Sequence, residues 1–329
     1  MIVPEQRFHG SSLRIMFMGT PEYALPSLAK LYEEGYDIAL VVTQPDKPVG
    51  RKRILTPPPV KTWALKHGLP VFQPESLRAS DAWETLSAIK PDLIVTAAYG
   101  KLLPDALLRL PRFGALNLHA SLLPSYRGAA PIQRAILDGC TQTGVTLMEM
   151  VRELDAGPII AQRAISISPK ETAGSLTEKL ARVAADLLID VLPNYVRGEI
   201  RPLPQDDARA TYADKLTRED EAIDLSLDSV HIDRRIRALL PAPGAYMKVG
   251  PQETDKIKIW SGEAYASQTD GLSVTKPGTI IAIEKERVAI ATGDGLLWLH
   301  EVQPAGKKRM TAAEWVRGRT SWKVGSVLV

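Results

Sequence analysis

The sequence predicts an α/β protein with a doubly wound, mainly parallel sheet, followed by a smaller β-barrel domain. Short apolar runs, typical of buried strands, alternate with helical patterns over about the first half of the chain. Beyond residue 229 the pattern changes to short β-like runs separated by turn residues. The chain has 329 residues, which is enough for two domains of ordinary size.

Strands and helices follow one another in the first domain. Residues 13–18 form an apolar run, and leucines at helical spacing follow it until Gly35, which predicts the end of a helix. Another helix is predicted at 57–67. The remaining strands are predicted at 37–43, 92–99, 114–119 and 145–151.

The second half of the chain begins with an amphipathic helix at 172–196, whose leucine stripe is typical of a core-facing surface. A polar, proline-containing stretch at 198–212 predicts a surface linker. A short helix is expected at 231–240, and the β-like runs lie at 257–260, 278–283, 288–292 and 296–302. We therefore expect a loose extension at 1–12, one domain at 13–207 and a second at 208–329.

Composition excludes several classes of protein. Hydrophobic and charged residues make up 45% and 24% of the chain, as in ordinary globular proteins. The net charge of +3 does not by itself require a nucleic-acid partner. No apolar run is long enough for a membrane span, and residues 1–12 lack the apolar core of a secretory signal. The single cysteine, Cys140, excludes an internal disulfide and a cysteine-based metal site. We expect no metal and a cytoplasmic location.

Asn117 and His119 are the strongest catalytic candidates. Both lie on the strand at 114–119, and the side-chain period of two places them on one face, about 6.6 to 6.8 Å apart. Ligands bind at the carboxyl ends of strands in such sheets. An amide donor beside an imidazole suits a reaction in which a carbonyl oxygen gains negative charge, and Asp155 could orient the imidazole. Taken alone, Asn-x-His is common in strands and Asp155 could be a plain turn residue.

A nicotinamide site is not supported. Gly19-Thr20-Pro21 lies where a Rossmann-like fold would place its glycine-rich turn, but the G-x-G-x-x-G pattern is missing. The predicted fold is therefore Rossmann-like in its sheet without the dinucleotide fingerprint.

The chain resembles the folate-dependent formyltransferases in a series of motifs. The core of the resemblance is Asn-Leu-His-Ala-Ser-Leu-Leu-Pro at 117–124, with further matches at 127–133, 144–146 and 154–157. It extends to 18–21, 43–48, 57–61, 98–100 and 291–295. The Gln-Pro-Ala-Gly-Lys-Lys stretch at 303–308 and the long carboxyl half resemble the branch of the family that acts on tRNA.

The resemblance implies a reaction and a set of residues. It implies transfer of the formyl group of 10-formyltetrahydrofolate to the α-amino group of methionine on initiator tRNA, and an OB-like second domain. It assigns catalysis to Asn117, His119 and Asp155. The folate site is expected along Ser121, Leu122, Leu123 and Pro124. We expect a monomer without a membrane partner.

Two basic clusters are candidate tRNA contacts. The first contains Arg51, Lys52 and Arg53, in a proline-bounded segment at 46–53. Charge runs are usually solvated surface, but the resemblance implies an insertion that enters the acceptor stem of the tRNA, with Arg51 as the selecting residue. The second contains Lys307, Lys308 and Arg309, which alone would be a solubility patch and on a nucleic-acid-binding barrel would contact phosphates.

Two alternatives stay open. One is a formyltransferase that acts on a small-molecule amine, and the two basic clusters argue against it. The other is a non-catalytic tRNA-binding relative, and the presence of Asn117, His119 and Asp155 argues against that.

Overall fold

The computed structural model describes residues 13–50, 52–250, 255–266, 275–319 and 321–328. The extension at 1–12 and Arg51 lie outside the described residues. The chain divides into two compact units. The first contains the residues up to Pro131 together with Gln142–Ser166 and Thr177–Ala213, and the second contains Ile132–Thr141, Ile167–Leu176 and the residues from Asp214 onward.

A seven-stranded sheet forms the first unit, in the order β10-β9-β7-β6-β1-β2-β5. The strands from β5 to β7 in this order are parallel, and β9 and β10 are antiparallel to their neighbours. The prediction of a mainly parallel sheet is confirmed. The strands of this unit are β1 (Arg14–Gly19), β2 (Asp37–Val42), β3 (Lys47–Val49), β4 (Ile54–Thr56), β5 (Val71–Phe72), β6 (Leu93–Ala97), β7 (Ala115–His119), β8 (Arg127–Gly128), β9 (Gln142–Glu149), β10 (Ile159–Ser166) and β11 (Tyr212–Ala213).

Strand β1, between β6 and β2, shows that the sheet is covered on both faces. Ile15, Met16, Phe17 and Met18 are all fully buried, so consecutive side chains find apolar surroundings on opposite faces. The first helix ends as predicted before Gly35, which has a φ of 76°. The helices along this part of the chain are α1 (Leu25–Glu33), α2 (Pro59–Lys66), α3 (Ser80–Ala88), α4 (Asp105–Leu108), α5 (Pro131–Leu137) and α6 (Ala173–Val196).

An antiparallel sheet forms the second unit, in the order β12-β13-β16-β15-β14, with β17 paired to β16. Buried and half-buried residues alternate along β16 on either side of an irregularity at His300 and Glu301, as expected for a sheet with one face against a core. Ile232 and Ile236 of α8 pack into that core with Trp315 of α9. The elements are α7 (Arg218–Glu221), α8 (Ser229–Leu239), β12 (Tyr246–Lys248), β13 (Lys256–Ala266), β14 (Ile280–Ile283), β15 (Val288–Ala291), β16 (Gly295–Pro304), β17 (Met310–Thr311) and α9 (Ala312–Arg317).

The structure adds pairing at two places where the sequence predicts only a charged segment and a surface linker. The basic segment contains a hairpin of β3 and β4. The stretch at 198–212 is tied to the first unit, because Leu203 bridges to Ile159 and β11 pairs in parallel with β8. Two-residue strands have no side-chain period, so the sequence contains no signal for them.

No helix among the described residues has the length and hydropathy that a membrane crossing requires.

Phe17 provides a test of this core. Its side chain is fully buried in β1, so Phe17→Ala should lower the free energy of unfolding by about 3–5 kcal/mol through loss of burial and formation of a cavity. Urea unfolding followed by circular dichroism measures the change. Leu65→Ala is the control, because Leu65 is 57% exposed and its loss should stay within about 0.5 kcal/mol. Equal losses in the two variants would contradict the packing described above.

Candidate active site

Strand β7 presents Asn117 and His119 between two neighbouring strands. Asn117 lies opposite Thr96 of β6 and Met148 of β9. His119 lies opposite Thr146 and is 6% exposed. The two candidates are thus held on one face of a buried strand, where packing limits their rotamers.

The orientation of the Asn117 amide is set by Thr96. The Thr96 hydroxyl, itself buried, shares its one hydrogen between Asn117 Oδ1 at 2.8 Å and the Leu116 carbonyl oxygen at 3.0 Å. With its oxygen engaged, the amide has its Nδ2 hydrogens left for a ligand. Asn117 is therefore arranged as a donor to an oxygen atom that gains negative charge.

The hydrogen bonds of His119 distinguish its two ring nitrogens. Nε2 lies 2.8 Å from the carbonyl oxygen of Tyr126. Because a carbonyl only accepts, Nε2 carries a hydrogen, and in the neutral imidazole Nδ1 is then the basic nitrogen. Nδ1 lies 3.7 Å from Asp155 Oδ2. The imidazole can take a proton on Nδ1, and the resulting imidazolium would be paired with the carboxylate.

Asp155 reaches His119 from a strained turn after β9. Its φ is 48°, in the left-handed region that a short polar side chain tolerates best. Gly128 N–H donates to Asp155 Oδ2 over 2.8 Å. Gly157 closes the turn so tightly that an added Cβ would lie 1.8 Å from the Glu149 carbonyl oxygen. The Leu-Asp-Ala-Gly motif thus needs its glycine for space.

Arg127 anchors a loop. An arginine near a candidate active site can either bind an anionic ligand or hold a loop in place. Its side chain is buried, forms an ion pair of 2.6 Å with Asp207 and donates twice to Gln205. Gln205 in turn donates to the carbonyl oxygens of Asp155 and Gly157. Sequence reasoning missed Gln205, because a glutamine in a polar stretch has no local signature.

The predicted folate stretch is enclosed by the protein's own hydrogen bonds. Ser121 and Leu123 are buried, whereas Leu122 and Pro124 are half-buried. All four carbonyl oxygens of the stretch accept hydrogen bonds within the chain, so a ligand here would meet mainly the Leu122 and Pro124 side chains. The donors are Thr146 Oγ1 (2.7 Å), Ser125 N (3.1 Å), Gln162 Nε2 (2.8 Å) and Thr211 N (3.2 Å), in the order of the carbonyls.

A groove of about 420 Å³ opens near the start of β7. Phe113, Ala115 and Met150 are among its apolar lining residues. Ala115 precedes Asn117 by two residues and therefore lies on the same face of the strand. On another wall, the Tyr195 hydroxyl donates to Glu149 over 2.9 Å, and burial, aided by that carboxylate, raises the pKa of Tyr195 far above its ordinary value.

Two residues of the first basic cluster, Lys52 and Arg53, lie on the β3–β4 hairpin. Lys52 and Arg53 are exposed at its turn, where Arg53 has a φ of 48° and its N–H donates to the Gly50 carbonyl oxygen. Arg51, predicted as the selecting residue, lies outside the described residues. The hairpin also exposes three apolar side chains, Val49, Ile54 and Leu55.

The second basic cluster lies beside two residues that the sequence did not connect with it, Trp260 and Lys258. Lys307, Lys308 and Arg309 are exposed, and the Arg309 guanidinium carbon lies 3.3 Å from the ring centroid of Trp260. Lys258 Nζ lies 4.2 Å from the same centroid. Burial and the neighbouring Arg309 charge lower the pKa of Lys258. The pairing of β13 with β16 unites these residues, which are about 50 positions apart in the chain.

Family models match most of the chain. A model described as "Formyl transferase" matches residues 13–192, and one described as "Formyl transferase, C-terminal domain" matches residues 215–320. The chain is 49% identical over 308 residues to a methionyl-tRNA formyltransferase of Lysinibacillus sphaericus, covering 93% of this chain and 96% of the relative. It is 47% identical over 306 residues to the Bacillus subtilis protein of the same name, covering 93% and 94%.

Solved structures share the fold at lower identity. HypX from Aquifex aeolicus in complex with tetrahydrofolic acid is 19% identical with a TM-score of 0.64, covering 96% of this chain and 50% of HypX. An N-formyltransferase from Helicobacter canadensis, in complex with folinic acid and dTDP-3-aminofucose, is 16% identical with a TM-score of 0.64. That match covers 88% of this chain and all of the other.

The turn that carries Asp155 can be tested through Gly157. Gly157→Ala should lower the free energy of unfolding by about 1–3 kcal/mol, because the new methyl group would displace the turn from Glu149. Thermal unfolding measures the loss, and hydrogen exchange at 152–158 shows where the backbone loosens. Gly318→Ala is the matched control, since a Cβ there would approach its nearest neighbour to only 3.4 Å. Equal stability in the Gly157 variant and the parent would contradict the close approach.

Proposed function

The chain belongs to the formyl transferase family, and from this premise we propose that it transfers the formyl group of 10-formyltetrahydrofolate to the α-amino group of methionine carried by initiator tRNA, as a step of translation initiation. One observation carries the proposal. Asn117 and His119 lie on β7, and the Asp155 carboxylate lies beside the His119 ring. All three come from one chain, so we propose that a monomer suffices. The substrate places the reaction in the cytoplasm.

The reaction needs no covalent enzyme intermediate. An α-amino group has a pKa of about 7.7. The adjacent ester that joins methionine to the tRNA lowers this pKa, so a neutral amine is available near pH 7. The amine nitrogen bonds to the formyl carbon, and the carbonyl oxygen becomes an oxyanion. When the oxyanion collapses, the bond to N10 of the folate breaks and N10 takes a proton. The amine loses one proton in the same reaction.

The three residues match these demands. Asn117 donates from Nδ2 to the oxyanion, because Thr96 occupies its amide oxygen. His119 and Asp155 act as one proton-accepting pair, in which Nδ1 is the basic nitrogen and the carboxylate stabilises the imidazolium. The pair takes the proton from the amine and returns one to N10.

The donor would lie along β7. We place the folate at the carboxyl end of β7, the edge at which ligands bind in such sheets. There it would pack against Leu122 and Pro124, the half-buried part of the predicted Ser121–Pro124 stretch. Asn117 and His119 lie on the strand that leads into this stretch, so the formyl group on N10 would meet them there.

Two surfaces would hold the tRNA. The basic segment at 46–53, with Arg51, Lys52 and Arg53, would contact the acceptor stem, with Arg51 selecting the initiator. Lys307, Lys308 and Arg309 would contact phosphates. Trp260 supports that role, because a guanidinium stacked on an aromatic ring is held in place and keeps its edge for hydrogen bonds.

The decisive assay incubates the protein with 10-formyltetrahydrofolate and charged initiator tRNA and measures formylmethionine after ester hydrolysis. Charged elongator methionine tRNA is the control. We expect efficient formylation of the initiator and little of the elongator. Formylation of a free amino sugar in place of either tRNA would instead establish the small-amine alternative.

Substitutions test the catalytic assignment. Asn117→Ala, His119→Ala and Asp155→Ala should each lower kcat on the order of a hundredfold or more, because each removes an interaction with developing charge. KM for tRNA should change little, since these groups act mainly in the transition state. His231→Ala is the control, with a side chain 61% exposed on α8. Near-normal single-turnover rates in the His119 and Asp155 variants would refute the assignment.

The salt dependence of tRNA binding tests the second basic cluster. Changing Lys307, Lys308 and Arg309 together to Ala should raise KM for tRNA and flatten the plot of log affinity against log salt. Each lost phosphate contact should reduce the slope by roughly 0.7 to 0.9. A control triple variant of Lys66, Arg78 and Lys90, all exposed on the first unit, removes the same charge. Identical slopes in the two triple variants would leave only a solubility role.

A further inference from the structure

We propose that Gln205 is a positioning residue for Asp155, and that Arg127 fixes the orientation of the Gln205 amide. This inference rests on the proposed function, in which Asp155 acts on the reacting groups. Gln205 would not touch the substrates. It would act by holding the turn that presents the Asp155 carboxylate to His119.

The Gln205 amide is fully engaged. Nε2 donates to the carbonyl oxygens of Asp155 and Gly157, over 2.8 and 2.7 Å. Oε1 accepts from Arg127 Nε and Nη2, over 3.1 and 2.9 Å. A primary amide offers two donors and two acceptor sites, and all four are used. Because Arg127 can only donate, it determines which end of the amide faces the catalytic turn.

The turn at Asp155 needs such support. A left-handed φ at a non-glycine residue is unfavourable and persists where the surroundings enforce it. Gln205 holds the backbone at Asp155 and again at Gly157. Gly128 holds the side chain. Without Gln205, two carbonyl groups lose their donor and the turn can relax away from His119.

Three consecutive residues, Tyr126 to Gly128, hold His119 and Asp155 in position, either directly or through Gln205. The Tyr126 carbonyl accepts from His119 Nε2, and the Gly128 N–H donates to Asp155 Oδ2. The residue between them, Arg127, reaches the backbone of Asp155 through Gln205. The geometry of His119 and Asp155 thus depends on β8 and on Tyr126, the residue before it.

The segment from Leu203 to Ala213, here called the strap, holds β8 in place. Arg127 N–H donates to the Thr211 carbonyl oxygen over 2.8 Å, and Tyr126 N–H donates to the Thr211 hydroxyl over 2.9 Å. The strap also contains Gln205 and Asp207, both bonded to Arg127. The stretch at 198–212, which the sequence predicts to be a linker, therefore also supports the turn that carries Asp155.

Gln205→Glu separates positioning from simple anchoring. A carboxylate keeps the acceptor atoms and the contact with Arg127, but it loses the hydrogens that bind Asp155 and Gly157. We expect Gln205→Glu and Gln205→Ala each to lower kcat for formylation of charged initiator tRNA by ten- to a hundredfold, because small misplacements of catalytic groups cost on the order of a hundredfold. KM for tRNA and folate should stay within about twofold. Gln142→Glu is the control, an exposed glutamine at the start of β9 that gains the same charge.

A double-mutant cycle tests whether the effect passes through Asp155. In the Asp155→Ala background, adding Gln205→Ala should lower kcat by less than about twofold, because the carboxylate that Gln205 positions is already gone. A parent-like kcat in Gln205→Glu, or independent multiplication of the two losses, would overturn the inference, and melting temperatures identify variants that merely unfold. Failure of the parent protein to formylate tRNA would refute the proposed function instead.

Discussion

The hydrogen bond from His119 Nε2 to the carbonyl oxygen of Tyr126 determines the chemistry of the candidate site. It assigns the hydrogen of the neutral ring to Nε2 and leaves Nδ1 as the nitrogen that faces Asp155. If the ring were free to turn, the carboxylate would meet either nitrogen. The contacts of β8 and the strap matter because they fix the position of this one carbonyl group.

Some polar side chains of the protein use one atom or face for a contact within the chain and keep another for a ligand. Thr96 occupies the oxygen of the Asn117 amide and leaves the Nδ2 hydrogens for a ligand. The same logic applies in the second unit, where Trp260 holds the flat face of Arg309. In each case the free atom needs little reorganisation to meet a ligand, which is the physical basis of electrostatic preorganisation.

The sequence predicted the elements whose signals are periodic. The buried strands around Phe17 and Asn117 and the long helix α6 follow from apolar spacing, and the place of Asn117 and His119 on one face follows from the strand period. The roles of Gln205 and Lys258 could not be found in this way. Each depends on contacts between residues distant in sequence, and a polar residue in a loop or on a half-buried strand has no local pattern that names its partner.

The strap also limits how the protein can be divided. The first family model ends at residue 192, and a fragment cut there would retain Asn117, His119 and Asp155 together with the whole central sheet. It would lack Gln205, Thr211 and the pairing partner of β8. Such a fragment would carry every reacting group of the proposed site without the segment that aligns them. For the proposed site, a catalytic fragment should therefore extend through the strap to Ala213, where the first compact unit ends.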